Sequence, residues 1–421
     1  MRLIMKTTVL AVAAIVAGFG TAVATGNPAD ARRVETVAYH LGNQAFTPPA
    51  DLGYEGKNEL DGVVYYPSDV SAGTHPLIMI EHGSWQTCAD RAATDANTAA
   101  QAALAAAEKA GDDVEAARQQ KIVEQTSARM WAWPCAPGVP PMPSNAGYEY
   151  LGRQLAQLGF VVVSIGTNGI NATAAGQAPT VYYARAALLN AQLALWQQLA
   201  SSGQGPLRGH FTDPATGKPR NVGFQSHLNM GDVGTIGHSM GGGGVMQQAA
   251  DQRHGDWPAG VTVKAVFALA PTDNWNDEPV TQVPFAQMWG TCDQVNTGNY
   301  FAGNSGDNQV PIYRYTLTGG NHDSYNTEWS PSSHQVGSHD DALPGTRPGT
   351  CASQLPDGPQ QDQRQLTETR QRAITSAYVT AFFQRFLNGR NDFDPVLTGK
   401  RRPAGLPDVI DVGYTPAVSS R

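Results

Sequence analysis

Residues 232–244 of the chain are Asp232-Val-Gly-Thr-Ile-Gly-His-Ser-Met-Gly-Gly-Gly-Gly244. The apolar run at 233–236 predicts a short buried strand, and the glycines after Ser239 predict a helix that begins directly behind a sharp turn. Such a turn leaves no room for Cβ atoms, and Gly237 and Gly241 would relieve the clash. The spacing Gly-x-Ser-x-Gly is typical of a nucleophilic serine, with an ordinary Gly/Ser loop as the alternative interpretation.

The composition indicates which classes of protein are compatible with the sequence. The chain has 421 residues, of which 41% are hydrophobic, and a formal net charge of −8. A chain of this length and apolar content can bury a large core, and an acidic protein offers no basic surface to nucleic acid. We therefore expect a globular protein that has no nucleic-acid partner.

The N-terminus has the pattern of an export signal. Arg2 and Lys6 precede an apolar run from about Val9 to Val23, which ends in Ala22-Val-Ala24. This pattern predicts a signal peptide over residues 1–24 that is removed by cleavage. A membrane anchor is the alternative, but the apolar run is short and contains two glycines. We expect no stable membrane anchor and a secreted or periplasmic location.

Strand-like and helical segments alternate along the rest of the chain. Eight short apolar runs are candidate strands, at 34–41, 60–66, 77–80, 160–165, 233–236, 263–269, 283–288 and 312–317. Helical patterns fall at about 148–158, 182–199, 241–252 and 367–387. The alternation predicts an α/β protein with an eight-stranded, mostly parallel sheet flanked by helices. Because Ser239 follows the fifth strand, the order resembles an α/β-hydrolase fold, formed here as a single domain of residues 25–421.

A helical insertion is predicted after the third strand. Residues 91–130 are rich in Ala, Glu, Gln, Lys and Arg and predict one or two helices, broken near Gly111. Cys88 and Cys135 bracket the segment, and joining them would close a loop worth about 4 kcal/mol of unfolded-state entropy. The insertion at 88–135 leaves the sheet beside a loop of the predicted site, which favours a lid. A solvated helical decoration without a catalytic role is the alternative.

The acid and the base that serve a nucleophilic serine are expected at the ends of later strands, in the chain order Ser, acid, His. Asp293 lies a few residues past the seventh predicted strand, and His322 lies past the eighth. In this interpretation His322 accepts the proton of Ser239 and later returns it to the leaving group. Asp293 fixes the imidazole tautomer and stabilises its cation.

Other acidic and histidine side chains are weaker candidates. Asp273 and Asp277 follow the sixth predicted strand and could supply the acid instead of Asp293. The remaining histidines considered for the base are interpreted as loop, structural or surface residues: His82, His210, His227, His238, His334 and His339.

An oxyanion needs two hydrogen-bond donors. The backbone N–H of Met240, which follows the nucleophile, is one candidate. The loop after the third strand, Glu81-His-Gly-Ser-Trp85, should supply the other, and we expect the N–H of Ser84, with that of Trp85 second. Trp85 could also form an apolar wall for an acyl group, or simply pack against its own domain.

The four cysteines allow three pairings, and export makes disulfides plausible. We expect Cys88 to pair with Cys135 and Cys292 to pair with Cys351. The second bond would tie the loop of Asp293 to the chain beyond His322. No two cysteines have the Cys-x-x-Cys spacing, so we expect no zinc site.

The chain resembles the secreted bacterial α/β-hydrolases of the dienelactone-hydrolase and polyester-hydrolase (cutinase-like) group. The resemblance extends over about 60–387, and its most specific part is Gly237-His-Ser-Met-Gly-Gly-Gly-Gly244. Weaker matches are His82-Gly83, Ser164-Ile-Gly-Thr-Asn168, Ala270-Pro271, Asp293 and His322. It implies ester hydrolysis with Ser239, Asp293 and His322 as the triad.

The chain departs from that group at three places. Ser84 stands where the polyester hydrolases have an aromatic residue, Thr272 stands where they have a Trp, and they lack the 88–135 insertion. Trp85 and Trp275 could bind substrate from neighbouring positions.

The sequence therefore predicts a secreted, monomeric serine ester hydrolase that acts on a small-molecule or polymeric ester through an acyl-enzyme, without a metal or an organic cofactor. An acyltransferase or amidase using the same triad is the nearer alternative. A non-catalytic binding protein of this fold is the farther one.

Overall fold

The computed structural model describes residues 32–274, 277–296, 298–335, 337, 347, 349–352 and 362–418. The predicted signal peptide at 1–24, Trp275 and His339 lie outside the described residues.

The strands in chain order are β1 (Val34–His40), β2 (Asp61–Pro67), β3 (His75–Glu81), β4 (Val161–Ile165), β5 (Phe211–Thr212), β6 (Leu228–His238), β7 (Val263–Leu269), β8 (Phe285–Gly290), β9 (Ile312–Leu317), β10 (Thr350–Ala352), β11 (Asp362–Arg364) and β12 (Ile410–Thr415). The α-helices are α1 (Arg91–Ala110), α2 (Asp113–Met130), α3 (Glu149–Gln157), α4 (Asn168–Thr173), α5 (Thr180–Ser202), α6 (Met240–Ala249), α7 (Tyr300–Asn304), α8 (Glu368–Phe386) and α9 (Asp394–Leu397).

The central sheet has ten strands in the order β12-β9-β8-β7-β6-β3-β4-β2-β1-β5. The inner strands β9, β8, β7, β6, β3 and β4 run parallel to one another. The outer strands β12, β2, β1 and β5 pair antiparallel with their neighbours. The fold is therefore α/β, with a mostly parallel sheet between layers of helices.

The expected count of eight strands was wrong. All eight predicted runs form strands, but the sheet contains two more, β5 and β12, one at each edge. β5 has only two residues, too few for an alternating pattern to be visible. β12 pairs along its whole length with β9 and lies beyond the last predicted helix.

Apolar side chains of the parallel strands are buried on both faces of the sheet. In β3, Leu77 and Met79 join one core cluster, while Ile78 and Ile80 join the other. Helices α5 and α6 contribute to the first cluster, and α3 and α8 contribute to the second. A strand buried on both faces has no polar side, which is why these runs are continuously apolar in sequence.

The predicted insertion after the third strand is a helical hairpin. Helices α1 and α2 are separated at Gly111, whose φ of 73° is left-handed and ends α1. The disulfide Cys88–Cys135 closes the base of the hairpin, which confirms that pairing. Arg91 at the start of α1 donates to the backbone carbonyls of His334 and Gln335, over 3.2 and 2.8 Å. The hairpin therefore contacts the segment that follows His322.

Among the helices in the described part of the chain, none is long and apolar enough to cross a membrane.

Candidate active site

Ser239 occupies the tight turn between β6 and α6. Its backbone has φ 57° and ψ −122°, a conformation that is strained for a residue with a side chain. The flanking residues must be glycines, because a Cβ at either position would collide with a backbone carbonyl oxygen. A Cβ on Gly237 would lie 2.1 Å from the carbonyl oxygen of Gly241, and one on Gly241 would lie 2.4 Å from that of Glu81. The local sequence thus permits a turn that few other residues could form.

Backbone hydrogen bonds hold the strained turn. The N–H of Ser239 donates to the carbonyl of Leu269 over 2.9 Å, and its own carbonyl accepts from Gly243 and Thr272, each over 3.2 Å. Ser239 is 4% exposed. The serine is therefore almost completely buried, and its position is fixed by contacts with β7, α6 and Thr272.

Asp293 and His322 form a buried pair. The Nδ1 atom of His322 lies 2.8 Å from Oδ2 of Asp293, and the two residues are 4% and 1% exposed. The other carboxylate oxygen, Oδ1, accepts the backbone N–H groups of Val295 and Asn296, each over 2.8 Å. Since both oxygens are engaged, the carboxylate has one orientation, and it holds the imidazole with Nδ1 towards the acid.

The loops that carry this pair are joined to each other. The N–H of Cys292 donates to the carbonyl of Gly320 over 2.8 Å, and a Cβ on Gly290 would lie 2.2 Å from the same oxygen. The disulfide Cys292–Cys351 then links the acid loop to β10, which confirms the second expected pairing. The acid and the base are therefore positioned by contacts within one small region rather than by separate flexible loops.

Neighbouring residues connect this pair to Ser239. Asn296, whose N–H binds Asp293, places its side-chain Nδ2 3.3 Å from Oγ of Ser239. His238, the residue before the serine, places Nε2 3.0 Å from the backbone carbonyl of His322, and the two imidazole rings are 5.1 Å apart. The structure thus brings the three predicted triad residues into one neighbourhood at the carboxyl edge of the parallel strands.

The alternative acids and bases are placed differently. Asp273 and Asp277 are exposed, in contrast to Asp293. His210 and His334 are exposed, and His227 is half-buried with Nδ1 2.8 Å from the carbonyl of Gly73.

The candidate oxyanion donors come from the start of α6 and from the loop after β3. Met240 is the first residue of α6, where a backbone N–H has no acceptor within its own helix. Gly83 packs directly on the serine, because a Cβ there would lie 2.5 Å from Cβ of Ser239. Among the described residues, the N–H of Ser84 donates to no acceptor. Both proposed donors are thus near the nucleophile, and the N–H of Ser84 is available.

Trp85 lies half-buried beside this loop. Its ring centroid is 6.1 Å from that of Trp329, which is itself fully buried, and its Nε1 has no hydrogen-bond partner among the described residues. Packing against Trp329 explains its position. Trp275 falls outside the described residues, and Thr272 is buried next to the serine turn.

Sequence reasoning missed Asn296 and Asn171. Neither has a motif around it, and each acquires its neighbours only through folding. Asn296 could have been suggested by its spacing from Asp293, since an Asp side chain commonly accepts N–H groups two and three residues ahead. Asn171 is on the short helix α4 and donates to the backbone carbonyl of Gly83.

Within the described residues, no group of three or more His, Cys, Asp or Glu side chains is arranged to hold a metal ion. Comparison with known proteins found no matching family model and no matching curated protein.

Proposed function

We propose that this protein is a serine hydrolase that cleaves carboxylic esters through a covalent acyl-enzyme. The observation that carries the proposal is the 2.8 Å contact between Nδ1 of His322 and Oδ2 of Asp293, buried beside a serine in a strained strand-to-helix turn. A buried carboxylate, an imidazole oriented by it and a nearby hydroxyl are the three parts that nucleophilic catalysis by serine requires.

The chemistry follows from the geometry of these groups. With Nδ1 bound to Asp293, the Nε2 atom of His322 is the one that accepts the proton as Oγ of Ser239 attacks the ester carbonyl. The side chain of Asp293 stabilises the imidazolium. The oxyanion of the tetrahedral intermediate accepts hydrogen bonds from the N–H groups of Met240 and Ser84.

The first half of the reaction ends with loss of the alcohol, and the second half repeats these steps with water. The imidazolium gives its proton to the departing alcohol, which leaves the acyl group on Ser239. His322 then takes a proton from a water molecule as that water attacks the acyl carbonyl. When this tetrahedral intermediate collapses, the bond between the acyl carbon and Oγ of Ser239 breaks, the imidazolium returns its proton to Oγ, and the carboxylic acid is released.

We also propose the α/β-hydrolase fold and membership of the dienelactone-hydrolase and polyester-hydrolase group. The parallel order β9-β8-β7-β6-β3-β4 and the serine directly after β6 support it. Polymer as substrate is less well supported than a small ester, because Thr272 and Ser84 replace two aromatic residues of the polyester hydrolases. The two disulfides are compatible with the proposed secretion.

A panel of aryl esters of increasing acyl length, run beside an anilide and a polyester film, tests the proposal. We expect ester turnover, and we expect Ser239→Ala to lower it on the order of a millionfold, since triad deletions have that effect. Adding an acceptor alcohol distinguishes hydrolysis from acyl transfer by the products. Undiminished esterase activity in a folded Ser239→Ala protein would contradict the proposal.

A further inference from the structure

A buried group of polar side chains lies behind the loop that carries Gly83 and Ser84. Arg185 from α5 and Glu81 at the end of β3 are both fully buried and 3.4 Å apart, and Asn171 from α4 is 3% exposed. Burying such groups costs free energy unless they are paired and hydrogen-bonded. The hydrogen bonds of Arg185 and Asn171 therefore identify the backbone groups that these buried side chains hold in place.

Arg185 determines the orientation of the Asn171 amide. A guanidinium can only donate, so the atom of Asn171 that faces Nη2 of Arg185 is the carbonyl oxygen Oδ1. The amide nitrogen Nδ2 then points the other way, where it donates to the backbone carbonyl of Gly83 over 2.9 Å. Arg185 also donates to the backbone carbonyl of His82, over 3.0 Å.

A second donor reaches the same Gly83 carbonyl. The Nε2 atom of His82 accepts the backbone N–H of Thr167 over 2.9 Å, so the ring proton is on Nδ1. That Nδ1 lies 2.9 Å from the Gly83 carbonyl oxygen. Burial lowers the pKa of His82 to about 3, which keeps the ring neutral with this single proton. The carbonyl of Gly83 is thus held by two donors on one side.

The orientation of this carbonyl fixes the next N–H. The peptide between Gly83 and Ser84 is trans, since the cis bonds of the described residues are Trp133–Pro134 and Ala178–Pro179. In a trans peptide the C=O and N–H vectors are opposed, so the Ser84 N–H points away from Asn171 and His82. Hydrogen bonds to a carbonyl also polarise the attached N–H and strengthen it as a donor.

We propose that Asn171 is a positioning residue, which holds the Gly83–Ser84 peptide so that the N–H of Ser84 is aimed at the oxyanion formed on Ser239. The inference rests on the proposed ester hydrolysis. It assigns to α4 and α5 a part in that reaction, because Asn171 touches neither the substrate nor the reacting atoms and acts only through the peptide it binds.

Asn171→Asp isolates this contact. The aspartate can still accept from Arg185, so the buried guanidinium keeps its partner, but the atom facing the Gly83 carbonyl becomes an oxygen, which in the ionised carboxylate favoured by Arg185 cannot donate. We expect kcat for an aryl ester to fall about tenfold to a hundredfold with KM within about twofold, which is less than the loss of a whole oxyanion donor. The inhibition constant of an aryl boronic acid, whose adduct carries the oxyanion, should rise by a similar factor.

Asn308→Asp is the matched control. Asn308 is also fully buried, and its Nδ2 donates to the backbone carbonyls of Val310 and Pro416, over 2.9 and 2.8 Å, near the amino end of β9. It should lower the unfolding temperature while leaving kcat and boronate inhibition unchanged. If Asn171→Asp does not fold, Asn171→Ser replaces it, because the serine side chain is too short to reach the carbonyl.

The outcomes separate the two proposals. Wild-type kcat and boronate inhibition in a folded Asn171 variant, with activity still abolished in Ser239→Ala, would overturn the positioning role and leave the hydrolase proposal intact. A fall in kcat equal to that of Asn308→Asp would also overturn it. A wild-type protein that neither turns over esters nor binds the boronate would contradict the proposed function and this inference together.

Discussion

His238 donates a hydrogen bond from Nε2 to the backbone carbonyl of His322, 3.0 Å away. The other ring nitrogen, Nδ1, accepts from the hydroxyl of Tyr148 over 2.9 Å. Nε2 carries a proton because a carbonyl oxygen can only accept. Burial lowers the pKa of His238 well below its usual value and keeps the ring neutral, so Nδ1 is the acceptor of the Tyr148 hydroxyl. The residue before the candidate nucleophile thus fixes the backbone of the candidate base while it remains uncharged.

The buried neutral histidines, His82 and His238, should make the free energy of unfolding depend on pH. Burial lowers the pKa of His238 well below its usual value and that of His82 to about 3. Between pH 6.5 and 5 the unfolded chain binds protons at these two histidines and the folded protein does not, so their contribution to stability falls as pH falls. Glu59 and Glu81, whose pKa values burial raises to about 8, contribute in the opposite direction. For each of the two histidines, lowering the pH from 6.5 to 5 should reduce its contribution to the free energy of unfolding by about 1.5 kcal/mol.

Denaturant titrations at pH 6.5 and pH 5 measure this effect. Relative to the wild-type protein, His82→Gln should gain about 1.5 kcal/mol of unfolding free energy at pH 5 compared with pH 6.5, because the variant lacks the His82 contribution. An unchanged pH dependence in that variant would mean that His82 does not resist protonation in the folded protein.

Gly83→Ala should disrupt the candidate site, because Gly83 packs directly against Ser239. The added methyl would lie 2.5 Å from Cβ of Ser239 and 2.6 Å from the backbone carbonyl of His238. We expect kcat/KM for an aryl ester to fall at least about tenfold, because a shift of about 1 Å at reacting groups can cost a hundredfold. Gly73→Ala is the control, since nothing lies within 4 Å of a Cβ there. Equal activity of the two variants would refute the close approach of Gly83 to the serine.

Asp293→Asn should separate the proposed acid from its alternatives. The amide cannot hold the histidine in the same tautomer, so we expect a loss of about ten-thousandfold in kcat, as at equivalent acids of serine triads. Asp273→Asn removes an exposed carboxylate and should change kcat by less than about twofold. Collapse of activity in Asp273→Asn, with full activity in Asp293→Asn, would move the acid to the end of β7.

The disulfide next to the acid should matter for activity, and the one at the insertion should not. Cys292 precedes Asp293 and is bonded to Cys351, and Gln294 donates to the carbonyl of Ala352 over 2.8 Å. We expect the Cys292→Ser/Cys351→Ser double variant to lose about tenfold to a hundredfold in kcat at temperatures where its far-UV spectrum is unchanged.

The Cys88→Ser/Cys135→Ser double variant is the control for this effect. It should lose stability but retain kcat if the hairpin α1–α2 takes no part in catalysis. If both double variants lose only stability, the bond at Cys292 acts on the unfolded chain alone.

Much of the fold was predictable because buried parallel strands have continuous apolar runs. The runs at 77–80 and 160–165 became β3 and β4 with small changes of boundary. β12 was missed although Ile410, Val412 and Tyr414 alternate with Asp411, Gly413 and Thr415. Its partner β9 is far away in sequence, and a single-sided edge strand has a weaker signal than a buried one.

Those residues of the candidate site that follow a predicted strand could be placed from the sequence. Asp293 and His322 follow apolar runs directly, so their strands carry them to one edge of the sheet. Asn171 and His238 were not assigned to the site, because their partners, the carbonyls of Gly83 and His322, are backbone atoms. A sequence pattern does not reveal which backbone carbonyl a buried polar side chain will bind.

Covalent labelling measures directly whether Ser239 is an activated nucleophile. The protein should be treated with a fluorophosphonate, digested and mapped by mass spectrometry, with Asp293→Asn treated in parallel. We expect one adduct, on Ser239, that forms far more slowly in Asp293→Asn. No adduct on the wild-type protein, or an adduct on another residue with Ser239 unmodified, would contradict it.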